Sequence, residues 1–320
     1  MSIIAKAYMS LNKHKFICNY ISILLNIIYS PLKWHLRYTK KKLGKDKKYY
    51  ISICAIFKNE GDNFKEWIEY HRLVGIDHIY LYNNFSEDNY LEILTPYIEN
   101  GYVTLQEWPY KHSQTQAYED CLAKHKDETF WLAFIDLDEF ICPKYKHNIK
   151  EWIRDFEGYP AVAIYWQMFG TNGIMKRDYT KLVIEQFTNS WEKLDGIGKY
   201  ILCTDDRFAI TKIYCHHVFA LYKIIGVTIK LPMINENKQF VFFPILYKTP
   251  KKNTIQLNHY FSKSYEEFKD KANRGSAASS TNDCIRKKKE FFINHEMNNI
   301  SENRVIFRFL TLLKEQMQID

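Results

Sequence analysis

Residues 129–135, Thr-Phe-Trp-Leu-Ala-Phe-Ile, are apolar without a break and run straight into Asp136-Leu137-Asp138-Glu139. A strand with no polar side has no face to offer water, so this stretch reads as buried on both faces of a parallel sheet. Parallel strands need long crossovers, usually helical, and this commits the neighbouring chain to alternating strands and helices. In open sheets of that kind, ligands bind beyond the carboxyl ends of the strands. Asp136 and Asp138 stand two apart at such an end and can turn toward one point. Two carboxylates aimed at one point suit Mn²⁺ or Mg²⁺, hard cations that share their coordination with a substrate's phosphates.

The required alternation is present. Residues 49–57 read as a buried first strand, and residues 63–74 as a helix with Phe64, Trp67, Ile68, His71 and Val74 on one stripe, stopped by Gly75. A second strand (78–82), a second helix (89–99, ending or kinking at Pro96) and a third strand (102–107) follow. A third helix (113–124) then leads into strand 129–135. The pattern predicts an α/β fold with a Rossmann-like, mostly parallel sheet flanked by helices. Beyond Phe140 it is less regular: a helix at 149–156, a strand at 161–169, a β-rich stretch at 221–247, a helix at 264–273 and a basic amphipathic helix at 304–316. GxGxxG and Walker A loops are absent, which disfavours NAD, FAD and P-loop chemistry.

Charge is uneven. The net charge is +8, and Arg37, Lys40, Lys41, Lys42, Lys45, Lys47 and Lys48 crowd one linker, with Arg286 to Lys289 as a second cluster. Such runs read as solvated faces or as contacts with an anionic membrane surface, and no nucleic-acid motif accompanies them. Residues 16–32 carry no charge, with apolar positions at helical spacing, but are short and polar for a spanning helix. They read as an interfacial amphipathic helix or as one packed on the protein's own core. Seven scattered cysteines without a CxxC pair argue against a disulfide framework or a zinc site.

Several segments, in order, resemble glycosyltransferase family 92 and its bacterial family-2-like relatives. They are Phe57-Lys58-Asn59-Glu60; Glu66 to His71; Leu81 to Asp88; Gln116-Ala117-Tyr118 with Cys121; Phe134 to Phe140; Trp166; Phe169-Gly170 and Gly173; Lys199; His216; and Asn258-His259-Tyr260 followed by Lys263, Lys269 and Arg274. The resemblance implies a GT-A fold, a nucleotide-sugar donor, UDP-galactose with β-1,4 transfer, and a divalent metal. It covers a catalytic domain (49–275); from charge and apolar spacing, the stretch before it (1–48) reads as a basic amphipathic membrane-association segment and linker, and the stretch after it (276–320) as a basic helical extension.

On this reading Asp136, Asp138 and His259 are the metal candidates. Asn59, Glu60, Asn83, Asn84, Asp88, Gln116, Asp136, Lys263 and Arg274 are expected on the donor side, and Trp166, Gly170, Gly173 and His216 on the acceptor side. Asp195, Asp205 and Asp206 are the candidates for a general base. Ordinary alternatives stand beside several of these: Asn59, Glu60, Asn84 and Asp88 as turns and helix caps, Trp166 as a core residue. Members from animals and plants carry a membrane-spanning stem where this chain has only residues 16–32. The expected setting is therefore peripheral, on the cytoplasmic face of a bacterial inner membrane, with a surface glycan such as lipooligosaccharide or capsule as acceptor. A haloacid-dehalogenase-like phosphatase is the alternative, because its nucleophile also follows an apolar strand as Asp-x-Asp. Against it, Phe140 replaces the usual Thr or Val, and three strand–helix units precede the motif. A catalytically dead glycan- or membrane-binding module is a third reading, against which the intact acidic cluster stands.

Overall fold

The computed structural model describes residues 15–39, 46–243, 253–275, 277 and 289–319. Most of the basic linker (Lys40, Lys41, Lys42, Lys45) and Arg286 to Lys288 lie outside the described residues, as do residues 244–247 of the β-rich stretch. Among the described residues, two helices precede the sheet, α1 (Lys15–Ile28) and α2 (Ser30–Tyr38). The single segment expected at 16–32 is divided at Tyr29, because Pro31 sits in the first turn of the second helix, where a missing N–H costs nothing.

The parallel half of the sheet follows the sequence pattern closely. Strands β1 (Tyr49–Phe57), β2 (His78–Asn83), β3 (Val103–Glu107) and β4 (Thr129–Phe134) alternate with helices α3 (Gly61–Leu73), α4 (Tyr90–Glu99) and α5 (Gln114–His125). They lie side by side in the order β3-β2-β1-β4, all parallel. Every residue of β4 is buried, as an uninterrupted apolar strand requires. Pro96 stays inside α4, three residues from its end. Gly75 takes a φ of +98°, the left-handed geometry that ends α3 cheaply only with glycine.

The second half holds β5 (Glu139–Pro143), helix α6 (Ile149–Ile153), β6 (Ala161–Met168), helix α7 (Val183–Gln186), β7 (Asn189–Ser190) and β8 (Gly198–Cys203). A three-stranded antiparallel unit follows, β9 (Phe208–Ile213), β10 (Val218–Ile224) and β11 (Val227–Pro232), which resolves the β-rich stretch into a hairpin. Then come β12 (Ile255–His259), α8 (Tyr265–Arg274), α9 (Lys289–Glu296), β13 (Ser301–Glu302) and α10 (Leu310–Met317). The main sheet has eight strands in the order β3-β2-β1-β4-β8-β6-β12-β5. β8 runs antiparallel to β4 and β6, and β12 runs parallel to β6 but antiparallel to β5.

Two departures from the sequence reading matter for the site. β5 continues directly from the acidic motif and is fixed to α3: the Trp67 indole donates to the Glu139 carbonyl (2.8 Å) and the Tyr70 hydroxyl to that of Ile141 (3.0 Å). The expected helix at 304–316 begins as a 3₁₀ turn, Val305–Phe309, whose first N–H is capped by Asn303, and becomes α-helical only at Leu310.

Candidate active site

The carboxyl end of β4 opens into a cleft of about 900 Å³, lined by Lys58, Asn84, Asp136, Asp138, Trp166, Asp195, Lys199, His216, His259, Lys271 and Arg274 among others. The two aspartates of the motif have different neighbours. Asp136 is part-exposed, and its carboxylate accepts from Gln114 (2.8 Å) and Tyr118 (3.3 Å) and meets the Lys199 ammonium at 3.0 Å. Burial alone would lower the pKa of Lys199, yet Asp136 and Glu139 outweigh it and keep the ammonium charged.

Asp138 is buried and pairs with Lys271, with the His259 imidazole at 3.4 Å. Burial raises its pKa, but Lys271 and His259 together hold it well below the ordinary carboxylate range. Glu139 is fully buried; it accepts the Asp136 N–H at 3.0 Å and the Trp166 indole N–H at 2.7 Å. Burial drives its pKa up; Lys199 opposes this, while Asp136 and Asp138 add to it.

Sheet register assembles this group. β12 places His259 opposite Glu139 on one side and Met168 on the other, and the Tyr260 N–H donates to the Asp138 carbonyl at 2.8 Å. The Trp166 ring packs on His259 with centroids 4.7 Å apart. Asp138, Glu139 and His259 each offer a donor atom within 4.8 Å of the others. The Nδ1 of His259 is buried without a hydrogen-bond partner among the described residues, so the group fits a divalent cation. This compact set takes in Glu139 and leaves out Asp136, which is held by Lys199 and Gln114.

The sequence model of glycosyltransferase family 92 matches residues 47–277 of this chain. The chain belongs to that family. Among curated relatives, it is 32% identical over 133 residues to a galactan beta-1,4-galactosyltransferase of Arabidopsis thaliana, covering 38% of this chain and 26% of that one. A beta-1,4-galactosyltransferase of Caenorhabditis elegans is 31% identical over 130 residues, or 36% of this chain and 31% of that one. A family 92 protein of Oryza sativa is 28% identical over 118 residues, covering 37% and 20%. These alignments span about a fifth to a third of the relatives' own length. Among solved structures, S. aureus TarS in complex with UDP-GlcNAc gives a TM-score of 0.34 at 14% identity, over 48% of this chain and 45% of that one. Membership of family 92 removes the phosphatase alternative.

The structure sorts the remaining residues expected from the family pattern. Asn84 lines the cleft, its amide donating to the carbonyls of Trp108 (2.7 Å) and Tyr110 (2.9 Å). Glu60 lines it too, bound by Arg274, by Lys263 at 3.5 Å and by the Asn63 amide at 2.6 Å. Burial raises the Glu60 pKa, but Arg274 and Lys263 pull it below the ordinary value. Arg274 also donates to the Lys58 carbonyl at 2.7 Å, so it is anchored at the cleft rim, while Lys263 lies behind Glu60.

Others lie outside the cleft lining. Asn59 sits at a φ of +52° and holds a turn, receiving the Glu87 N–H at 2.8 Å. Asn83 donates to Glu107 (2.8 Å) and Tyr90 (3.0 Å), and Asp88 receives the first N–H of α3, from Gly61, at 2.7 Å. The helix is thus capped from Asp88. Gln116 is exposed on the far side of α5, and Gln114 is the glutamine that reaches Asp136.

Of the three base candidates, Asp195 lines the cleft and the other two do not. Asp205 and Asp206 follow the carboxyl end of β8, and because β8 is antiparallel to β4, that end lies at the opposite edge of the sheet, where Asp205 pairs with Arg207 at 2.7 Å. Gly170 and Gly173 are likewise outside the lining. The space at Gly170 is filled by Asn299, with a Cβ there falling 1.9 Å from its amide nitrogen. Gly170 therefore serves the docking of α9. His216 is in the cleft, its Nδ1 2.9 Å from the Gly198 carbonyl and its pKa lowered to about 4 by burial and by Lys199.

Sequence reasoning passed over Gln114, Lys271 and Trp191, and also a wall from α9 and the turn after it: Phe291, Asn294, His295 and Asn298. α9 lies beyond the family match and is anchored by Glu296, which accepts from the Thr171 hydroxyl at 2.7 Å. The Trp191 indole holds the His295 carbonyl at 3.1 Å.

Proposed function

We propose that this chain transfers a galactosyl group from UDP-galactose to a saccharide hydroxyl, inverting the anomeric centre and forming a β-1,4 linkage. The observation behind it is the Asp136–Asp138 pair at the carboxyl end of β4, facing a cleft large enough for a nucleotide sugar. The Arabidopsis and C. elegans relatives, both named beta-1,4-galactosyltransferases, support galactose and the linkage. The proposed acceptor is a surface saccharide such as lipooligosaccharide or capsule.

A divalent cation held by Asp138, Glu139 and His259 would offset the charge of the departing diphosphate. The imidazole in that set favours Mn²⁺ over Mg²⁺. Lys199 and Gln114 fix the Asp136 carboxylate, and Lys58 and Arg274 put positive charge on the donor side of the rim. Trp166, Trp191 and Phe291 give the other side flat apolar faces, and Asn294 and Asn298 bring amides for hydroxyl groups.

Asp195 is the proposed general base. Its Oδ1 accepts the Ile197 N–H at 3.2 Å, and burial raises its pKa against the backbone N–H groups of Ile197 and Gly196. A raised pKa makes it a better proton acceptor for the acceptor hydroxyl.

A thermal-shift screen of UDP-, GDP- and CMP-sugars with Mn²⁺ is expected to single out a UDP-sugar. Asp136→Asn and Asp138→Asn should each abolish transfer while leaving the fold intact, and His259→Ala should raise the Mn²⁺ requirement more than the acceptor KM. Near-normal turnover of both aspartate variants at saturating donor would overturn the reading.

A further inference from the structure

Among the described residues, the N-terminal helices are fastened to the catalytic fold along one side. The Asn26 side chain grips the Phe240 backbone from both ends, receiving its N–H at 2.8 Å and donating to its carbonyl at 3.0 Å. Tyr29 packs edge-on against Phe240 and Phe242, and Leu36 is fully buried. α2 meets the β10–β11 hairpin, with His35 Nε2 and the Tyr222 hydroxyl 3.1 Å apart, and Arg207 donates to the Thr39 carbonyl at 3.2 Å.

The other side of α1 is bare among the described residues. Ile17, Ile21, Leu24 and Ile28 form one helical stripe and are 55%, 40%, 60% and 68% exposed. On α2, Trp34 and Tyr38 are also exposed, with their rings 4.1 Å apart. The adjoining hairpin ends in Ile225, 96% exposed at a φ of +46°. A β-branched residue in that region is strained, and asparagine or glycine would fit the turn better. An isoleucine is thus held at a hairpin tip against both solubility and backbone preference.

Charge names the occupant. The first 45 residues hold nine Lys and Arg and no Asp or Glu, and residues 207–235 hold Arg207, Lys212, Lys223 and Lys230, again with no acid. Helix α2 of the first stretch is packed on the second, where Arg207 is paired with Asp205, while the chain as a whole carries only +8. Exposed apolar and aromatic side chains on a stretch of sequence rich in basic residues and free of acidic ones match the interfacial layer of an anionic bilayer. α1 is 14 residues long, and no helix among the described residues is long and apolar enough to cross a membrane.

We propose that the exposed face of α1 and α2, together with the Ile225 hairpin tip, is a docking surface for an anionic lipid bilayer. The apolar residues enter the headgroup boundary and the lysines meet the lipid charge. The proposal does not depend on the donor or the acceptor.

Full-length protein is mixed with vesicles of phosphatidylcholine alone or with about 30 mol% phosphatidylglycerol, and bound protein is measured by flotation. Binding is expected to the phosphatidylglycerol vesicles, and to weaken at least tenfold between about 20 mM and about 500 mM NaCl with a salt-resistant remainder. Leu24→Glu with Ile28→Glu should abolish that remainder. Ile225→Asn should weaken binding about threefold or more with an unchanged or higher melting temperature, since it relieves the turn; this separates lost docking from lost folding. If the full chain ignores phosphatidylglycerol vesicles at low salt, or if both variants bind as well as the parent, the proposal is overturned. A dimer that the glutamate substitutions dissociate, without vesicle binding, would overturn it in favour of a second copy of the chain.

Discussion

The Lys199 ammonium lies 3.0 Å from the Asp136 carboxylate although only 1% of the lysine side chain meets solvent. Lys199 also reaches the Tyr118 hydroxyl at 3.4 Å, so one buried cation holds both the first acidic residue of the motif and the tyrosine that donates to it. A buried charge is tolerated only when its partner stays in place. Lys199→Met removes the cation and leaves Asp136 tied to Gln114 and Tyr118 alone. UDP-sugar turnover should fall at least a hundredfold, while the melting temperature changes by only a few degrees, because Asp136 can hydrate through its exposed side. Turnover within threefold of the parent would show that Asp136 needs no fixed counter-charge.

The two glutamines of α5 make a sharper contrast. Gln114 donates to Asp136 at 2.8 Å, whereas Gln116 is exposed and its carbonyl oxygen takes a bond from Thr115 at 3.0 Å. A hydrogen bond to a charged group contributes about 1.5–3 kcal/mol. Gln114→Ala should therefore lower kcat about tenfold or more, and Gln116→Ala should leave it unchanged. Steady-state kinetics of the two variants side by side decides this, and equal effects would contradict the placement of α5.

These glutamines also show what sequence could and could not supply. The buried side of α5 is Gln114, Ala117, Tyr118 and Cys121, an i, i+3, i+4, i+7 stripe visible in the sequence, and Gln116 falls off it. The stripe marks Gln114 as the inward-facing glutamine. The same phase argument favours Lys271 over Lys269 on α8, three residues after the buried Phe268. The β1–β4 half was legible because each strand is a short apolar run set off by turn residues. β5 was not, since it starts inside the acidic motif and its antiparallel partner β12 is more than a hundred residues away. Asp205 and Asp206 were misplaced for a related reason. The direction of β8 sets which sheet edge they occupy, and direction leaves no local pattern. α9 had no family pattern to point to it.

Acid stability should carry the mark of His71. It is fully buried, its Nδ1 2.8 Å from the Trp67 carbonyl and its Nε2 3.3 Å from the Ile141 N–H. Burial lowers its pKa to about 3, against the carbonyl that favours the charged form. The unfolded chain takes up that proton near pH 6.5 and the folded chain does not until about pH 3. Between those values the unfolded state binds more protons, so stability is complete above pH 6.5 and falls as the pH drops. From pH 7 to pH 5 this residue should account for about 2 kcal/mol. Urea titrations across that range should give a shallower slope for His71→Gln than for the parent, and identical slopes would rule the histidine out. A remaining slope is expected from His217 and His295, both lowered to about 4 by burial.

Gly170 links the loop after β6 to the α9 wall of the cleft. A Cβ there would lie 1.9 Å from the Asn299 amide nitrogen, 2.4 Å from its Cγ and 2.9 Å from a Glu296 carboxylate oxygen. The Asn299 amide cannot swing away freely, because it donates to the His295 carbonyl (3.3 Å) and to Glu296 (3.2 Å). Gly170→Ala should push the end of α9 outward and destabilise the protein by about 1–3 kcal/mol, the usual range for overpacking. Since α9 and the turn after it contribute Phe291, Asn294 and Asn298 to the cleft, transfer to a saccharide should fall much more than hydrolysis of the UDP-sugar, whose proposed binding groups sit at the ends of β1 and β4 and on α8. Gly173→Ala is the control. It has nothing within 4 Å but a φ of +74°, so it should cost about 1 kcal/mol of strain and leave the ratio of transfer to hydrolysis unchanged. Equal ratios in the two alanine variants would show that α9 does not shape the acceptor side.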